Sequence, residues 1–335
     1  MPSNVDPALV EALGLDRTTA SIESHGGSGF SSTYKLTGDK DGKRVKYFVK
    51  TGTGANAATM FRGEFASLNA IADAVADFCP RAHAYGEMQN RAGVHFLATD
   101  FLELGGSWGG NRAGSGLSFA SKLAELHTRE NTSLPDGTPF GFPVTTCCGS
   151  TEQDNSWKAS WSEFYADNRL RHILAACLRN NGPDETLSES VERLASTVVP
   201  RLLGDGHLRR SSERGGGPIR PAVIHGDLWS GNHSRGRIVG SGGDTTGVEE
   251  VVYDPASVYG HSEYELGIMR MFGGFSSAFW REYTALVPKD EPVHEWEDRV
   301  ALYELYHHLN HFSLFGGSYR GGAMSIVDKL LKKYG

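Results

Sequence analysis

The feature that most constrains this chain is an eight-residue motif, HGDLWSGN, at His225–Asn232, with a second motif, Asp-Pro-Ala, beginning at Asp254. Short apolar runs, residues 222–224 and 251–253, precede the motifs and predict buried strands that aim both at one point. A carboxylate at Asp227 can take a proton from a hydroxyl, and an amide with a second carboxylate supplies the oxygen ligands that Mg²⁺ prefers. Two unrelated surface turns would rarely combine the five-residue spacing between acid and amide with an acid downstream.

The acid, the amide five residues later and the distant acid are typical of protein-kinase-like phosphotransferases. In that class the first acid is the catalytic base, which predicts this role for Asp227. The amide and the second acid hold Mg²⁺ against the phosphates of ATP, which predicts that Asn232 and Asp254 are metal ligands. ATP and Mg²⁺ are therefore the expected cofactors.

Composition argues against several other classes of protein. The 335 residues suffice for one large domain or two lobes, with an ordinary 39% apolar and 22% charged content. A net charge of -7 and a pI near 6.0 argue against nucleic acid or an anionic membrane as a partner. The four cysteines suggest neither a disulfide framework nor a metal site, and no apolar run approaches the ~20 residues of a membrane span. We therefore expect a cytoplasmic protein, with an organelle signal outside this sequence left open.

Periodicity divides the chain into a small mixed lobe, residues 1–102, and a larger helical lobe, residues 103–335. In the first, after a short helix at 7–15, the pattern predicts strands at 18–24, 31–37, 46–50 and 93–100 around a helix at 60–75, in the order β-β-β-α-β. In the second it predicts helices at 119–128, 157–178, 187–203, 295–315 and 325–333, with another beginning at Glu263. The expected fold is α+β and bilobal, a protein-kinase-like fold whose N-lobe binds the nucleotide and whose mainly helical C-lobe carries the catalytic and substrate-binding residues.

A glycine-rich segment, Gly26, Gly27, Ser28 and Gly29, lies between the first two predicted strands. Glycine allows positive φ and lets backbone N–H groups approach phosphate oxygens, so these four residues are candidates for binding the nucleotide phosphates. Any tight hairpin is also glycine-rich, which is the alternative. No Gly-Lys-Ser/Thr follows, and this argues against a Walker A loop.

Lys50 ends a strand of alternating polarity, beside an aromatic residue on the predicted inward face, and needs a charged partner there. Glu64, fourteen residues later in the predicted helix, can supply it, and the pair would face the α and β phosphates as in kinases. The alternative is an exposed strand-end lysine and a helix-surface glutamate. Asp100, Phe101 and Leu102 are predicted to form the hinge where adenine pairs with backbone groups, unless they are a plain linker.

These motifs resemble the fructosamine-3-kinase (ketosamine-3-kinase) family, a branch of the kinase-like phosphotransferases, over nearly the full length. The tryptophan of the octet is the most specific element, because choline and aminoglycoside kinases share only the shorter His-Gly-Asp…Asn core. Other matching segments are Phe48–Lys50, Met60–Glu64, Leu123–His127, Phe140–Phe142, Thr146–Thr151, Asp254–Ala256, Tyr259–Glu263, Phe272–Phe275 and Leu305–His311. The tail at residues 319–326 is most similar to plant and algal members.

The resemblance implies an ATP-dependent kinase that phosphorylates the O3 hydroxyl of ketoamines formed when sugars glycate lysine, free or in proteins. Enolisation between C1 and C2 makes the C3 phosphate allylic, so phosphate departs and the amine is freed, which is deglycation. By the same resemblance the base is Asp227, and Asn232 and Asp254 hold Mg²⁺. Many relatives have a cysteine in the glycine-rich loop where this chain has Ser28, so a disulfide-linked dimer through that loop is not expected.

Five residues close to the two motifs are further candidates. Trp229 lies between the predicted base and metal ligand, so its ring is expected either to wall the sugar site or to plug the core below the loop. His261 and Glu263 follow the second motif and are expected to line the sugar pocket. Glu265, on the helix that begins there, is predicted to hydrogen-bond backbone groups of the catalytic loop, and His225 is a second supporting residue of that loop.

His307 and His311 lie four residues apart on a predicted helix, a spacing that also suits a metal ion. No HExxH pattern is present, and the neighbouring residues are Tyr, Leu and Phe. We therefore expect a buried, hydrogen-bonded pair and assign no zinc site.

Two competing functions are not eliminated by the residues alone. Another small-molecule kinase would need an aromatic cage for choline or an acid-rich pocket for an aminoglycoside, and the sequence locates neither. A nucleotide-binding pseudokinase would be favoured by loss of the predicted lysine, base or metal ligands, yet all four residues are present. The preferred sugar (fructose-, ribulose- or erythrulose-derived) and the oligomeric state do not follow from the sequence.

Overall fold

The computed structural model describes residues 4–26, 31–105, 114–129 and 139–335. The strands are β1 (Ser21–Ser24), β2 (Ser32–Lys40), β3 (Lys43–Thr53), β4 (Ala82–Glu87), β5 (Val94–Leu104), β6 (Thr146–Cys148), β7 (Thr151–Gln153), β8 (Ala222–Ile224), β9 (His233–Val239), β10 (Glu249–Val252) and β11 (Val258–Gly260). The main sheet has the order β1-β2-β3-β5-β9-β10, with β4 also paired to β5, and every pairing in it is antiparallel. Two small antiparallel pairs, β6 with β7 and β8 with β11, lie apart from it.

Helices make up most of the remaining described chain. They are α1 (Pro7–Leu13), α2 (Gly54–Ala74), α3 (Phe119–Thr128), α4 (Trp161–Glu163), α5 (His172–Asn181), α6 (Glu185–Arg193), α7 (Val199–Leu203), α8 (Glu265–Phe272), α9 (Ser277–Leu286), α10 (Trp296–Phe315) and α11 (Tyr319–Tyr334). Two π-helical stretches, Phe164–Arg171 and Leu194–Val198, join α4 to α5 and α6 to α7, so each pair forms one long helix. The predicted succession of a mixed α/β lobe and a mainly helical lobe is confirmed.

The two faces of β3 differ in how deeply their side chains are buried. Val45, Tyr47 and Val49 point to one side and are fully buried in a core shared with α1 and β5. The alternate residues, Phe48 and Lys50, are only half-buried and share the opposite face, because successive strand residues point to opposite sides. The alternation predicted for this strand, with Lys50 and an aromatic residue on the face opposite Tyr47 and Val49, is confirmed.

The predicted order β-β-β-α-β is incomplete, because β4 follows α2 and pairs with β5. Its sequence, Ala-His-Ala-Tyr-Gly-Glu, contains no β-branched residue, so strand propensity provides little signal there. Helix α2 also begins at Gly54, six residues before the predicted start. Both differences enlarge the N-terminal lobe without changing its class.

Strand β5 runs across the predicted boundary between the lobes. Up to Asp100 it pairs with β3, and from Phe101 onward it pairs with β9. Asp100, Phe101 and Leu102 therefore lie inside a strand that passes from one lobe to the other, and their contact with adenine stays a prediction. A division of the chain at residue 102 stays a prediction.

The helical part is built around α10, which is buried along most of its length. Aromatic rings of the predicted helix at 157–178 fill the core next to it, and Trp161, Phe164 and Tyr165 are at most 1% exposed. The Trp161 indole N–H donates to Tyr303 Oη on α10 at 2.8 Å, which satisfies the polar end of a buried ring. This core supports the β8–β11 pair, in which β8 leads into the first predicted motif and β11 follows the second.

Candidate active site

The catalytic loop begins where the buried strand β8 ends. Gly226 has φ +83°, and a Cβ atom built on it would lie 2.2 Å from the carbonyl oxygen of Ala256, so only glycine fits there. The Glu265 carboxylate accepts the backbone N–H groups of His225 at 2.6 Å and of Gly226 at 3.0 Å. The hydrogen bonds predicted between Glu265 and the backbone of this loop are therefore present.

The His225 imidazole connects the two motifs. Its Nδ1 atom lies 3.3 Å from the Asp227 backbone nitrogen and its Nε2 atom lies 3.0 Å from the Tyr253 carbonyl oxygen. These partners require a neutral ring that accepts at Nδ1 and donates at Nε2. Burial lowers the pKa of His225, which favours that neutral form. His225 therefore contacts the loop that it was predicted to support.

Asn232 and Asp254 are brought side by side by backbone pairing. The Tyr253 N–H donates to the Asn232 carbonyl at 3.1 Å, so the residue after Tyr253 emerges next to the Asn232 side chain. The Asn232 amide nitrogen donates to the Asp227 carbonyl at 2.8 Å, which turns the amide oxygen away from that bond. Asp254 has a left-handed φ of 59° and a side chain that is 47% exposed. The Asn232 amide and the accessible carboxylate of Asp254 thus come from paired segments of the backbone.

Lys50 meets this pair from the opposite lobe. Its Nζ atom lies 2.7 Å from Glu64 Oε1 and 2.6 Å from Asp254 Oδ1. Burial alone would lower the pKa of Lys50, but the two carboxylates raise it above its ordinary value, so the ammonium stays charged. The predicted Lys50–Glu64 ion pair is present, and the contact of Lys50 with Asp254 joins the two lobes.

The residues present fit a magnesium ion and the phosphates of a nucleotide. Asn232 and Asp254 offer the hard oxygen ligands that Mg²⁺ prefers, and the Lys50 ammonium is adjacent to them. An ion held there would neutralise negative charge on phosphate oxygens. Assignment of these residues as ligands stays a prediction from their geometry.

Asp227, the predicted base, is partly buried between the two lobes. Burial raises its pKa to about 8, and the nearby charges of Asp254 and Glu265 act in the same direction. The Cys148 thiol donates to Asp227 Oδ1 at 3.6 Å, and the Asn232 amide lies 3.5 Å from the other carboxylate oxygen. No sequence signal places Cys148 at the base, and it was not among the predicted site residues.

A cavity of about 300 Å³ opens beside Asp227 and is mostly apolar. Its lining residues are Cys148, Gly149, Asp227, Trp229, Phe272, Asn310, His311, Leu314, Phe315 and Tyr319. The Trp229 side chain is 41% exposed, and its ring centroid lies 6.1 Å from that of Phe272. Trp229 is therefore a wall of the cavity, and the alternative of a core plug is wrong. The aromatic residues from α10 and α11 that complete the wall were missed.

The prediction that His261 and Glu263 line the sugar pocket is wrong. Both are buried, and the two nitrogens of His261 contact Tyr303 Oη at 2.8 Å and Asp290 Oδ2 at 2.9 Å. Glu263 accepts from the guanidinium of Arg299 at 2.8 Å. Their side chains face the helical core because the chain turns into α8 directly after β11. The cluster of His261, Glu263 and Asp290 is an ion-pair network under the site.

His307 and His311 occupy different surroundings. His307 is 1% exposed, whereas His311 is half-buried, lines the cavity and contacts the His307 carbonyl through Nδ1 at 2.8 Å. Burial lowers the pKa of both, so both rings are neutral. The expected burial is correct for His307 only, and the expected hydrogen bond is not made by the His307 Nδ1 atom, which has no partner among the described residues.

Only some of the residues predicted to bind the nucleotide lie within the described part of the structure. Gly26 is described, with φ +75°, whereas Gly27, Ser28 and Gly29 lie outside the described residues. The Asp100 carboxylate is bonded to His83 Nε2 at 2.6 Å and to the Arg81 N–H at 3.0 Å, so any contact of Asp100 with adenine would use its backbone. The nucleotide-binding roles of these segments stay predictions.

The His25 ring lies at the mouth of the cleft next to the predicted adenine residues. Its centroid is 5.0 Å from that of Phe101 and 6.3 Å from that of Phe48. These three rings form an aromatic patch beside the paired strands β3 and β5. Sequence reasoning had not singled out His25, although it directly precedes the glycine-rich segment.

The fold and the site together define a protein-kinase-like phosphotransferase: a sheet lobe carrying a lysine–glutamate pair above a helical lobe carrying an acid, an amide and a second acid. A sequence model described as "Fructosamine kinase" matches residues 1–333, and the chain belongs to that family.

Relatives from distant organisms share most of the chain. A ketosamine-3-kinase of Mus musculus is 33% identical and covers 98% of this chain and 100% of its own length. A chloroplastic protein-ribulosamine 3-kinase of Oryza sativa subsp. japonica is 36% identical over 85% of this chain and 72% of its own length.

Solved structures support the fold. A putative fructosamine-3-kinase from Thermobifida fusca superposes with a TM-score of 0.72 at 23% identity, covering 98% of this chain and 99% of that one. The aminoglycoside phosphotransferase APH(4)-Ia superposes with a TM-score of 0.55 at 13% identity, covering 97% and 98% of the two chains. At these identities the likeness concerns the fold alone.

Among the residues described, none of the helices has the length and apolar character required to cross a bilayer.

Proposed function

We propose that this protein is an ATP-dependent ketosamine 3-kinase, which phosphorylates the O3 hydroxyl of ribulosamine or fructosamine adducts on lysine or free amines and thereby starts deglycation. The observation that carries the proposal is the convergence of Lys50, Asp227, Asn232 and Asp254 beside an aromatic cavity. Membership of the fructosamine kinase family supports the substrate class.

The proposed roles follow from position. Asp227 lines the cavity and, in its ionised carboxylate form, accepts the proton of the substrate hydroxyl. Asn232 and Asp254 hold Mg²⁺, and Lys50, fixed by Glu64, faces the phosphates of ATP. Catalysis then depends on positioning and charge neutralisation, without a covalent intermediate on the protein.

The cavity suits a ketosamine better than an aminoglycoside. Among its described lining residues the only carboxylate is Asp227, whereas a polycationic aminoglycoside calls for several acids. The rings of Trp229, Phe272, Phe315 and Tyr319 can pack against a sugar and face the secondary ammonium of a ketosamine. The same rings would also suit a quaternary amine, so a choline-like amino alcohol is the second candidate. A pseudokinase is disfavoured because the predicted lysine, base and both metal ligands are all present.

Finer features belong to the proposal as well. Residues 1–102 would form the nucleotide lobe, with Gly26–Gly29 at the phosphates and Asp100–Leu102 at adenine. The tail at 319–326 suggests a plant or algal subgroup, although the relatives also include a mouse protein. We propose a cytoplasmic location, with a plastid as the alternative suggested by the rice relative. Ser28 disfavours a disulfide-linked dimer through the glycine-rich loop.

A parallel substrate assay tests the proposal. ADP release from Mg-ATP would be measured with fructosyl-lysine, ribulosyl-lysine, choline and kanamycin, and the phosphorylated product located by NMR. We expect turnover with one or both ketosamines and phosphate on O3. Activity confined to choline or kanamycin would overturn the ketosamine assignment, and the Asp227→Asn variant controls for contaminating ATPases.

A further inference from the structure

Ser67 is a fully buried serine on α2, the helix that also carries Glu64. Its hydroxyl donates to the Gly63 carbonyl at 2.8 Å, as helical serines often do. The same oxygen accepts the backbone N–H of Ser257 at 3.0 Å, although 190 residues separate the two positions. One hydroxyl thus ties the helix of the lysine–glutamate pair to the segment that follows Asp254.

The segment at Asp254 needs such support. A φ of 59° places Asp254 in the left-handed region, which is unfavourable for a residue with a side chain and persists only where neighbouring contacts hold it. The Tyr253 N–H is held by the Asn232 carbonyl and the Ala256 N–H by the His225 carbonyl, both in the catalytic loop. The Ser257 N–H is the next donor, and it goes to α2.

Helix α2 and the segment that begins at Asp254 are joined by two separate links. Glu64 lies three residues before Ser67, and Asp254 lies three residues before Ser257. The first link passes through the Lys50 ammonium, and the second passes through the Ser67 hydroxyl. In the proposed kinase, the charged groups of the first link also bind ligands, because Lys50 faces the phosphates and Asp254 holds Mg²⁺. The second link lies in a buried corner and uses no group that would bind a ligand.

The surroundings leave little freedom in this corner. A Cβ atom on Gly63 would lie 2.6 Å from the Thr145 carbonyl oxygen, so α2 packs backbone against backbone on the chain entering β6. The Ser257 carbonyl lies 3.4 Å from Thr146 Oγ1, whose single proton has a nearer acceptor in Gln153 Oε1 at 2.9 Å, so the bond to Ser67 is the stronger contact of the Ser257 backbone. A buried N–H deprived of its acceptor here would have no water to replace it.

We propose that Ser67 is a positioning residue for the metal-binding carboxylate: its hydroxyl fixes the Asp254 segment against α2 and maintains the left-handed backbone that aims Asp254 at Mg²⁺. The role deepens the proposed function and rests on it. Ser67 touches neither nucleotide nor sugar in this arrangement and acts only through Asp254.

Two variants and a control isolate the hydroxyl. Ser67→Ala removes both hydrogen bonds, and Ser67→Thr keeps the hydroxyl. Ser188→Ala is the matched control, because Ser188 Oγ makes the same bond to the carbonyl four residues earlier, at 2.7 Å to Asp184, on α6, which carries none of the proposed site residues. Circular dichroism and thermal unfolding of the full chain establish that each variant is folded.

Hydrogen exchange gives a readout that does not depend on catalysis. In the ligand-free protein, we expect the amide hydrogens in a peptide covering residues 253–260 to exchange about fivefold or more faster in Ser67→Ala, as loss of one buried hydrogen bond predicts. Ser67→Thr, which keeps the hydroxyl, should exchange more slowly than Ser67→Ala, and Ser188→Ala should match the wild type. Unchanged protection in Ser67→Ala would overturn the link itself, whether or not the protein is a kinase.

Steady-state kinetics then test the positioning role. For Ser67→Ala we expect about a fivefold rise in the Mg²⁺ concentration for half-maximal activity and a similar loss in kcat/KM for Mg-ATP, with the KM for the ketosamine unchanged and rescue by Ser67→Thr. Equal losses toward both substrates, or a lack of rescue, would reduce Ser67 to a packing residue and overturn the proposal. A wild-type chain that phosphorylates no ketosamine would refute the proposed function separately, because the exchange result would still stand.

Discussion

Lys50 Nζ lies 2.6 Å from Asp254 Oδ1, although 204 residues separate the two positions. Glu64 Oε1 approaches the same ammonium to 2.7 Å, so one cation balances two carboxylates at the junction of the lobes. The side chains of Lys50 and Glu64 are only 12% and 11% exposed. Removal of one member of a buried charge pair is costly, because the remaining charge has lost both its water and its partner.

The variant Lys50→Met should therefore lower the free energy of unfolding of the ligand-free protein by about 3 kcal/mol. Adding Glu64→Gln should recover part of that loss, since it removes the charge left without a partner. Urea denaturation measures both changes. Lys35→Met is the control, because Lys35 pairs with Glu23 at the surface and should cost less than about 1 kcal/mol. Equal losses in the two lysine variants would contradict this account of the buried pair.

Asp227→Asn should reduce kcat about a thousandfold while leaving Mg-ATP binding nearly unchanged. The amide keeps the size of the side chain but does not accept the proton of the substrate hydroxyl. Turnover is measured by ADP release, and Mg-ATP affinity by calorimetry. Asp328→Asn, an exposed acid on α11, serves as the control and should retain full activity. Parallel loss of turnover and nucleotide affinity would assign Asp227 to nucleotide binding instead.

Trp229→Ala should raise the KM for a ketosamine about tenfold, equivalent to ~1.4 kcal/mol of lost ring contact, and leave the KM for ATP unchanged. Trp229→Phe should recover part of the loss because it restores an aromatic wall. Trp157 is a matched control, since its side chain is 43% exposed, close to the 41% of Trp229, but is not among the cavity-lining residues. A larger effect of Trp157→Ala on the ketosamine KM would place the sugar elsewhere.

Two kinds of relation between residues could be predicted from the sequence. One is the spacing of residues close together along the chain, and the other is the pairing that a buried charge requires. The spacing of Asp227 and Asn232 is fixed along the chain, and the apolar runs before the two motifs do form β8 and β10. Lys50 and Glu64 meet because a buried lysine on a strand required a carboxylate. The fold class followed from the succession of period-2 and period-3.6 patterns.

The errors involve the direction of side chains in three dimensions. His261 and Glu263 are close to Asp254 along the chain, but the turn into α8 points them into the helical core. Phe315 and Tyr319 line the cavity from nearly ninety residues beyond the octet, and only the packing of α10 and α11 brings them there. Strand β4 was missed because tertiary pairing with β5 outweighs its weak strand propensity.

The ion-pair network under the site should make stability depend on acid pH. Burial would raise the pKa of Asp290, but the hydrogen bond from His261 and the charges of His261 and Arg214 outweigh it and lower the pKa to about 2, below the ordinary 3.8. A carboxylate with a depressed folded-state pKa stabilises the protein above pH 3.8, and this contribution is lost as the pH falls toward 2.

Asp290→Asn should accordingly cost about 2 kcal/mol at pH 7, and its difference from the wild type should shrink steadily below pH 4. Thermal unfolding between pH 7 and pH 3 measures the difference. Asp328→Asn, whose carboxylate is exposed, should follow the wild-type curve throughout. A difference for Asp290→Asn that stays constant down to pH 3 would show that the lost stability is packing rather than charge.

Two helical glycines should respond oppositely to alanine. At Gly321 in α11, no atom of the described residues lies within 4 Å of the position that a Cβ would occupy, and φ is not positive. Gly321→Ala should therefore stabilise the protein by up to about 1 kcal/mol through helix propensity. At Gly63 in α2 the added methyl would meet the Thr145 carbonyl at 2.6 Å and Thr146 Cα at 2.9 Å. Because backbone atoms give way only if the helix moves, Gly63→Ala should destabilise by about 2 kcal/mol despite the same gain in propensity. Urea denaturation of both variants measures the contrast, and stabilisation by Gly63→Ala would mean that α2 is free to shift away from β6.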